Sequence, residues 1–205
     1  MYTRLPLLCI FAVLPLSLVA QDSTVPTGST PFRRGQWAAQ FQAGTSFGSL
    51  GFIKFRSPTR ALVLDVRLSG NHSEDLERDS SGTRFAGLQS SAFTQLRFGW
   101  RRYSGGTEHV VSHYSFGLLA GFDHSVSASA NPGFQRTRNG WTAGVFADVG
   151  GTYLVTPKFG IGALRAAGLS YTSSVSTFGP PEETSRAWSI GGQAISASLV
   201  ATIFF

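Results

Sequence analysis

The sequence predicts an all-β chain closed into an eight-stranded antiparallel up-and-down transmembrane β-barrel. Three observations carry that prediction: apolar residues recur with period two in eight stretches, the connections between stretches alternate in length, and aromatic residues gather near the stretch ends. Composition agrees. Of 205 residues 24 are glycine, 13% are aromatic and only 14% are charged, with 2 lysines among 17 basic side chains. That balance opposes a helical bundle and opposes disorder, and it favours many strands and turns. The length admits one domain or at most two.

The first twenty residues read as a targeting segment. Arg4 gives a positive start, Leu5 to Val19 is apolar apart from Ser17, and Ala20 precedes the polar Gln21-Asp22-Ser23. This is the layout of a secretory signal peptide, too short and too interrupted by Pro6 and Pro15 for a membrane helix. The expected organisation is a signal peptide over 1–20, a flexible periplasmic tail over 21–35 and a barrel over 36–205. Cys9 leaves with the signal, so the mature chain has no disulfide and no thiolate metal site. Without Arg4, 16 basic residues face 11 acidic ones. The arginines are scattered and form no nucleic-acid motif, so no nucleic-acid partner is expected.

From Trp37 onward the alternation is explicit. In the third stretch Leu62, Leu64, Val66 and Leu68 oppose Val63, Asp65, Arg67 and Ser69; in the fourth Ala92, Leu96, Phe98 and Trp100 oppose Gln95, Arg97 and Arg101. The fifth sets Tyr114, Phe116, Leu118, Ala120 and Phe122 against His113, Ser115, Gly117, Gly121 and Asp123. The sixth sets Trp141, Ala143, Val145, Ala147, Val149 and Tyr153 against Thr142, Gly144, Asp148, Gly150 and Thr152. The last sets Ile195, Ala197, Leu199, Ala201, Ile203 and Phe205 against Ala194, Ser196, Ser198 and Thr202. A strand turns alternate residues to opposite sides, so each stretch has one apolar and one polar face. Trp37 to Thr45, Leu50 to Arg56 and Phe159 to Leu169 carry apolar residues on both faces and are the weaker stretches.

Period alone leaves open whether the apolar face meets lipid or, as in a soluble lipocalin-like barrel, turns inward. Connection lengths favour lipid. The first connection, Ser46 to Ser49, is short; after it Ser57 to Arg60, Tyr103 to Glu108 and Thr156-Pro157 are short, whereas Asn71 to Gln89, Ser125 to Gly140 and Tyr171 to Arg186 are long. Outer-membrane barrels carry short turns on one rim and longer loops on the other. Trp100, Tyr103, Tyr153 and Phe159 lie beside the short turns, and Phe47, Phe122, Trp141, Tyr171 and Trp188 near the loop ends, as two aromatic belts would. Strands of about ten residues then suffice to cross the membrane.

These features, with the ending Ser198-Leu199-Val200-Ala201-Thr202-Ile203-Phe204-Phe205, make the chain resemble the small outer-membrane β-barrel proteins of the OmpX/OmpW/OmpA-barrel type over about residues 35 to 205. The resemblance implies residence in the cell outer membrane and partners among outer-membrane lipids and the barrel-assembly machinery, which reads a terminal aromatic such as Phe205. It implies no cofactor. Activity is left open, because this fold hosts porins, adhesins, enzymes and structural proteins alike.

The expected lumen set is Gln40, Gln42, Lys54, Asp65, Arg67, Gln95, Arg97, Arg101, Asp148 and Arg165. Buried charges must pair, so Asp65 and Asp148 are expected to pair with arginines in a polar network rather than to line an open path. Arg136 and Arg138, beside Asn131-Pro132-Gly133, are candidates for contact with lipopolysaccharide phosphates. Glu74, Asp75, Glu77 and Asp79 cluster without the ligand spacing of a calcium loop, and no metal is expected. His113-Tyr114-Ser115 resembles the His-x-Ser of lipid A deacylases, in which the histidine activates the serine hydroxyl. Here Asp123 lies too far along the strand to orient His113. The expected function is therefore a structural, adhesive or small-solute barrel, the alternative a lipid-modifying enzyme using His113 and Ser115.

Overall fold

The computed structural model describes residues 31–44, 47–78, 84–104, 109–128, 135–179 and 183–205. Residues 1–20, expected to be a signal peptide, and residues 21–30 of the expected tail lie outside them. The described residues are almost wholly strand: β1 (Trp37–Ala43), β2 (Gly48–Ser57), β3 (Arg60–Arg78), β4 (Arg84–Ser104), β5 (Val110–Ala128), β6 (Gln135–Thr156), β7 (Phe159–Phe178) and β8 (Glu183–Phe204). Each pairs antiparallel with the next, and β1 pairs with β8, so the sheet closes into a barrel. At the seam Trp37 and Phe205 exchange backbone hydrogen bonds of 3.2 and 3.0 Å.

The register shows how the ring is tilted. Followed across the ladders from Leu68, partners run through Thr94, Phe122, Trp141 and Ser173 to Trp188 on β8. Followed the other way they run through Gly48 and Ala43 to Leu199 on the same strand. The separation of Trp188 from Leu199 is the stagger that inclines strands to the barrel axis.

The expected faces hold on β3 to β6. Leu64, Leu68, Leu96, Phe98, Phe116, Leu118, Val145 and Val149 point outward and are exposed, whereas Asp65, Arg67, Gln95, Arg97, His113, Ser115 and Asp148 are buried inside. The outer surface is thus an apolar belt and the interior is polar, the inverse of a soluble barrel. On β8 the phase changes midway. Val200 and Phe204 are buried, while Trp188 and Ile190, of the same parity, are exposed, because the register with β7 shifts between Ala166 and Gly168. Ile195 and Ser196 sit beside that shift, and their side chains lie outside the described set.

Three expectations are corrected. The long loops are largely strand: β3 to β8 run from 19 to 22 residues and pair as hairpins up to Arg78–Arg84, Ala128–Gln135 and Phe178–Glu183. These polar segments have no apolar face to bury, but laddering satisfies their backbone in water as well as turns would. β1 and β2 have only 7 and 10 residues, so six strands rise above a short hairpin.

The tail, secondly, does not stay loose to residue 35. Phe32 is 4% exposed and enters the lower mouth, stacking on Phe55 at 4.5 Å, Tyr103 at 4.8 Å and Phe204 at 5.1 Å. Gly35, with φ of 86°, turns the chain there and its N–H donates to the Phe55 carbonyl at 2.8 Å. With Ala38, Ile53, Ala61, Val63, Val111 and Leu154 these rings form an apolar floor, which explains why β1 and β2 looked apolar on both faces. Tyr103, thirdly, belongs to that floor and not to an outer aromatic belt, and the Phe47 ring lies under the guanidinium of Arg67, 4.6 Å away.

Candidate functional site: the polar core of the barrel

Above the floor, strand alternation turns one row of charged side chains into the bore. Arg97 on β4 is its centre, only 3% exposed. Its Nη1 donates to Asp65 Oδ2 on β3 at 3.4 Å and its Nη2 to Asp148 Oδ2 on β6 at 3.0 Å. Arg67 Nε approaches the same Asp65 oxygen at 3.5 Å. One guanidinium therefore links two strands that are not neighbours, and its planar fork suits two carboxylates at once.

The bridge rests on an aromatic ring. Arg97 Cζ lies 3.7 Å from the Phe146 centroid, within cation–π range. Phe146 fits because the wall behind it is glycine: a Cβ on Gly99 or Gly117 would stand 2.9 Å from its ring carbons. Lower in the bore, Arg101 Nε donates to Ser115 Oγ at 2.8 Å and Nη1 to Gln40 Oε1 at 2.5 Å. Gln42 and Gln95 are also buried.

His113 and Ser115 face this interior at 3% and 2% exposure. The serine hydroxyl accepts from Arg101, and neither ring nitrogen of His113 has a hydrogen-bond partner among the described residues. His113 instead lies against Tyr103, with ring centroids 5.6 Å apart. The arrangement lacks the base-to-nucleophile hydrogen bond that activates a serine. Asp123 is further up the wall, 3.9 Å from Arg138 Nε.

Two residues expected in the lumen are outside it. Lys54 shares the outward face of β2 with Leu50 and Phe52, and its Nζ lies 4.7 Å from the Trp37 ring centroid. Arg165 is exposed on the outer face of β7, because its neighbours Leu164 and Ala166 take the inner positions. In both strands apolar residues on two faces hid the parity. Arg136 and Arg138 share one parity of β6 with Gly140 and Thr142, and both are exposed in the upper, polar part of the strand. Arg136 reaches Ser176 Oγ at 3.5 Å and lies 4.9 Å over the Phe178 ring. Phe205 is exposed at the end of the seam. Asp79 and Asn131-Pro132-Gly133 lie outside the described residues, and no group of metal-ligating side chains forms among those described.

Sequence reasoning missed Phe146 and Phe32. The parity of Phe146, which it shares with Thr142, Gly144, Asp148 and Gly150 on the polar face of β6, was the available signal.

The fold is similar to that of a major outer membrane protein from Thermus thermophilus, at 13% identity and a TM-score of 0.50 over 83% of this chain and 98% of that one. CarO of Acinetobacter baumannii is a more distant match, at 11% identity and a TM-score of 0.39 over 84% of this chain and 97% of that one. No protein-family model and no curated protein matches the sequence. At 13% identity the likeness to the Thermus protein is one of fold, an antiparallel outer-membrane β-barrel.

Proposed function

We propose, on the premise of a fold shared with outer-membrane β-barrel proteins, that this chain is an integral outer-membrane protein whose eight strands form the whole transmembrane barrel. Its role is structural, adhesive or in handling small solutes, and it is carried by the outer rim rather than by an open pore. The observation that carries this reading is the Arg97 bridge from Asp65 to Asp148 over Phe146, which occupies the bore at mid-height. Eight strands enclose a bore that side chains can fill. Export through residues 1–20, recognition of the last strand through Phe205 by the assembly machinery, and lipopolysaccharide as the outer-leaflet neighbour belong to the same reading.

The lipid-modifying alternative has less support. It needs a serine that an acyl chain can reach, and Ser115 is held by Arg101 inside the barrel.

Fractionation tests the reading. The protein is expected in the outer membrane, with different gel mobility before and after boiling, because a closed barrel resists detergent. In planar bilayers it is expected to give no large steady conductance. Recovery from the soluble periplasm overturns the membrane assignment, and altered lipid A acyl chains on expression revive the enzyme.

A further inference from the structure

Arg165 stands on the outer face of β7 midway between Phe159 and Tyr171. About 20 Å of strand separates it from each of them, too far for its side chain to carry the charge to either headgroup layer. Its ladder partners are Val149 on β6 and Ala197 on β8, both outward. Ala147, Ala163 and Ala167 surround it, and Ala147, Asp148, Val149, Arg165, Ala166 and Ala167 line a shallow groove of about 320 Å³, with the Asp148 carboxylate turned inward to Arg97. The opposite wall at this depth is bulky, with Leu64, Phe98 and Phe116. No ion pair or hydrogen bond engages Arg165 among the described residues.

A guanidinium in hydrocarbon is costly and in natural proteins is paired. Small side chains let a second membrane protein approach the backbone closely. We propose that the β6–β8 wall around Arg165 is a docking surface for another membrane-spanning protein, of different sequence, that presents a carboxylate at mid-depth. Charge complementarity selects this occupant over a second copy of the chain. Among the described residues no carboxylate faces outward between the two aromatic rows, and a two-fold contact centred on this patch would bring two arginines together. A lipid phosphate lies a leaflet away.

The proposal rests on the outer face meeting lipid, and two measurements separate its failure from the failure of that premise. In phosphatidylcholine vesicles holding the purified barrel alone, Arg165→Leu is expected to lower the unfolding equilibrium constant about 30-fold or more, since a mid-membrane arginine costs that much without a partner. An unchanged constant refutes the lipid-facing premise itself. In native outer membranes, Arg165→Lys treated with a membrane-permeant carbodiimide is expected to form an amide with an Asp or Glu in a spanning segment of a different chain, mapped by mass spectrometry. Leu64→Lys, on the far wall, is expected to form none. No adduct, an adduct with a second copy, or an adduct only with lipid or with a carboxylate outside the membrane overturns the docking surface while leaving the barrel assignment standing.

Discussion

Gly117 makes the room that Phe146 occupies: a Cβ on that glycine would fall 2.9 Å from the ring's Cε1 and 2.5 Å from Gly99 Cα on the neighbouring strand. The ring in turn carries Arg97 on its face. The Phe98 carbonyl oxygen, nearer still to the same Cβ, adds a backbone clash, so position 117 takes no side chain while the ring and the neighbouring strand stay where they are.

Gly117→Val is therefore expected to destabilise the barrel by about 1–3 kcal/mol through overpacking. Gly151→Val, where a Cβ meets nothing within 4 Å, is expected to be near neutral. Urea unfolding in lipid vesicles compares the two; equal midpoints would mean that the ring does not need the glycine.

Asp148→Leu leaves Arg97 with one carboxylate in place of two. Breaking a buried pair is expected to cost about 3–5 kcal/mol, whereas Glu183→Leu, at an exposed position, should stay within about 0.5 kcal/mol. Coincident unfolding curves for the two variants would place Asp148 outside the network.

Leu199 is 69% exposed on the outer wall. Leu199→Arg is expected to cost about 2–4 kcal/mol in a bilayer. Deleting Phe205 should change refolded stability little and cellular insertion strongly. Normal insertion without Phe205 would end its role as an assembly signal, and a Leu199→Arg variant as stable as the parent would mean that this face does not meet lipid.

Phe32→Ala removes the ring at the centre of the aromatic floor. The expected readout is local: trypsin should cut after Arg33 or Arg34 in the variant while sparing the parent, whose Arg33 N–H is bonded to Gln36 Oε1 at 3.0 Å. Equal digestion of both proteins would mean that the segment is not anchored by Phe32.

Much of this architecture was legible because a strand with one apolar and one polar face has only one way to sit in a barrel wall. On β3, Asp65 and Arg67 could not share a face with Leu64 and Leu68, so their place inside followed from counting by two. Counting failed where both faces were apolar, as around Lys54 and Arg165, and where a register shift inverted the phase, as between Leu199 and Trp188. The segments beyond Asn71, Ser125 and Tyr171 misled for another reason. Above an apolar belt both faces of a hairpin meet water, so the alternation that announces a strand disappears while the backbone ladder continues. That Arg97 takes both aspartates was out of reach of one-dimensional reasoning, since it depends on bringing β3, β4 and β6 around one bore.

The hydrogen bonds between Trp37 and Phe205 have a consequence for the chain as a string. Every ladder except the seam joins strands consecutive in sequence, and the seam brings the two ends of the ring together. The ring consequently has no topological beginning. A circular permutant that links Phe205 to Pro31 through a short flexible peptide and opens the chain at the Pro157-Lys158 turn retains every ladder, with the old seam become an ordinary hairpin and the β6–β7 pair become the new one.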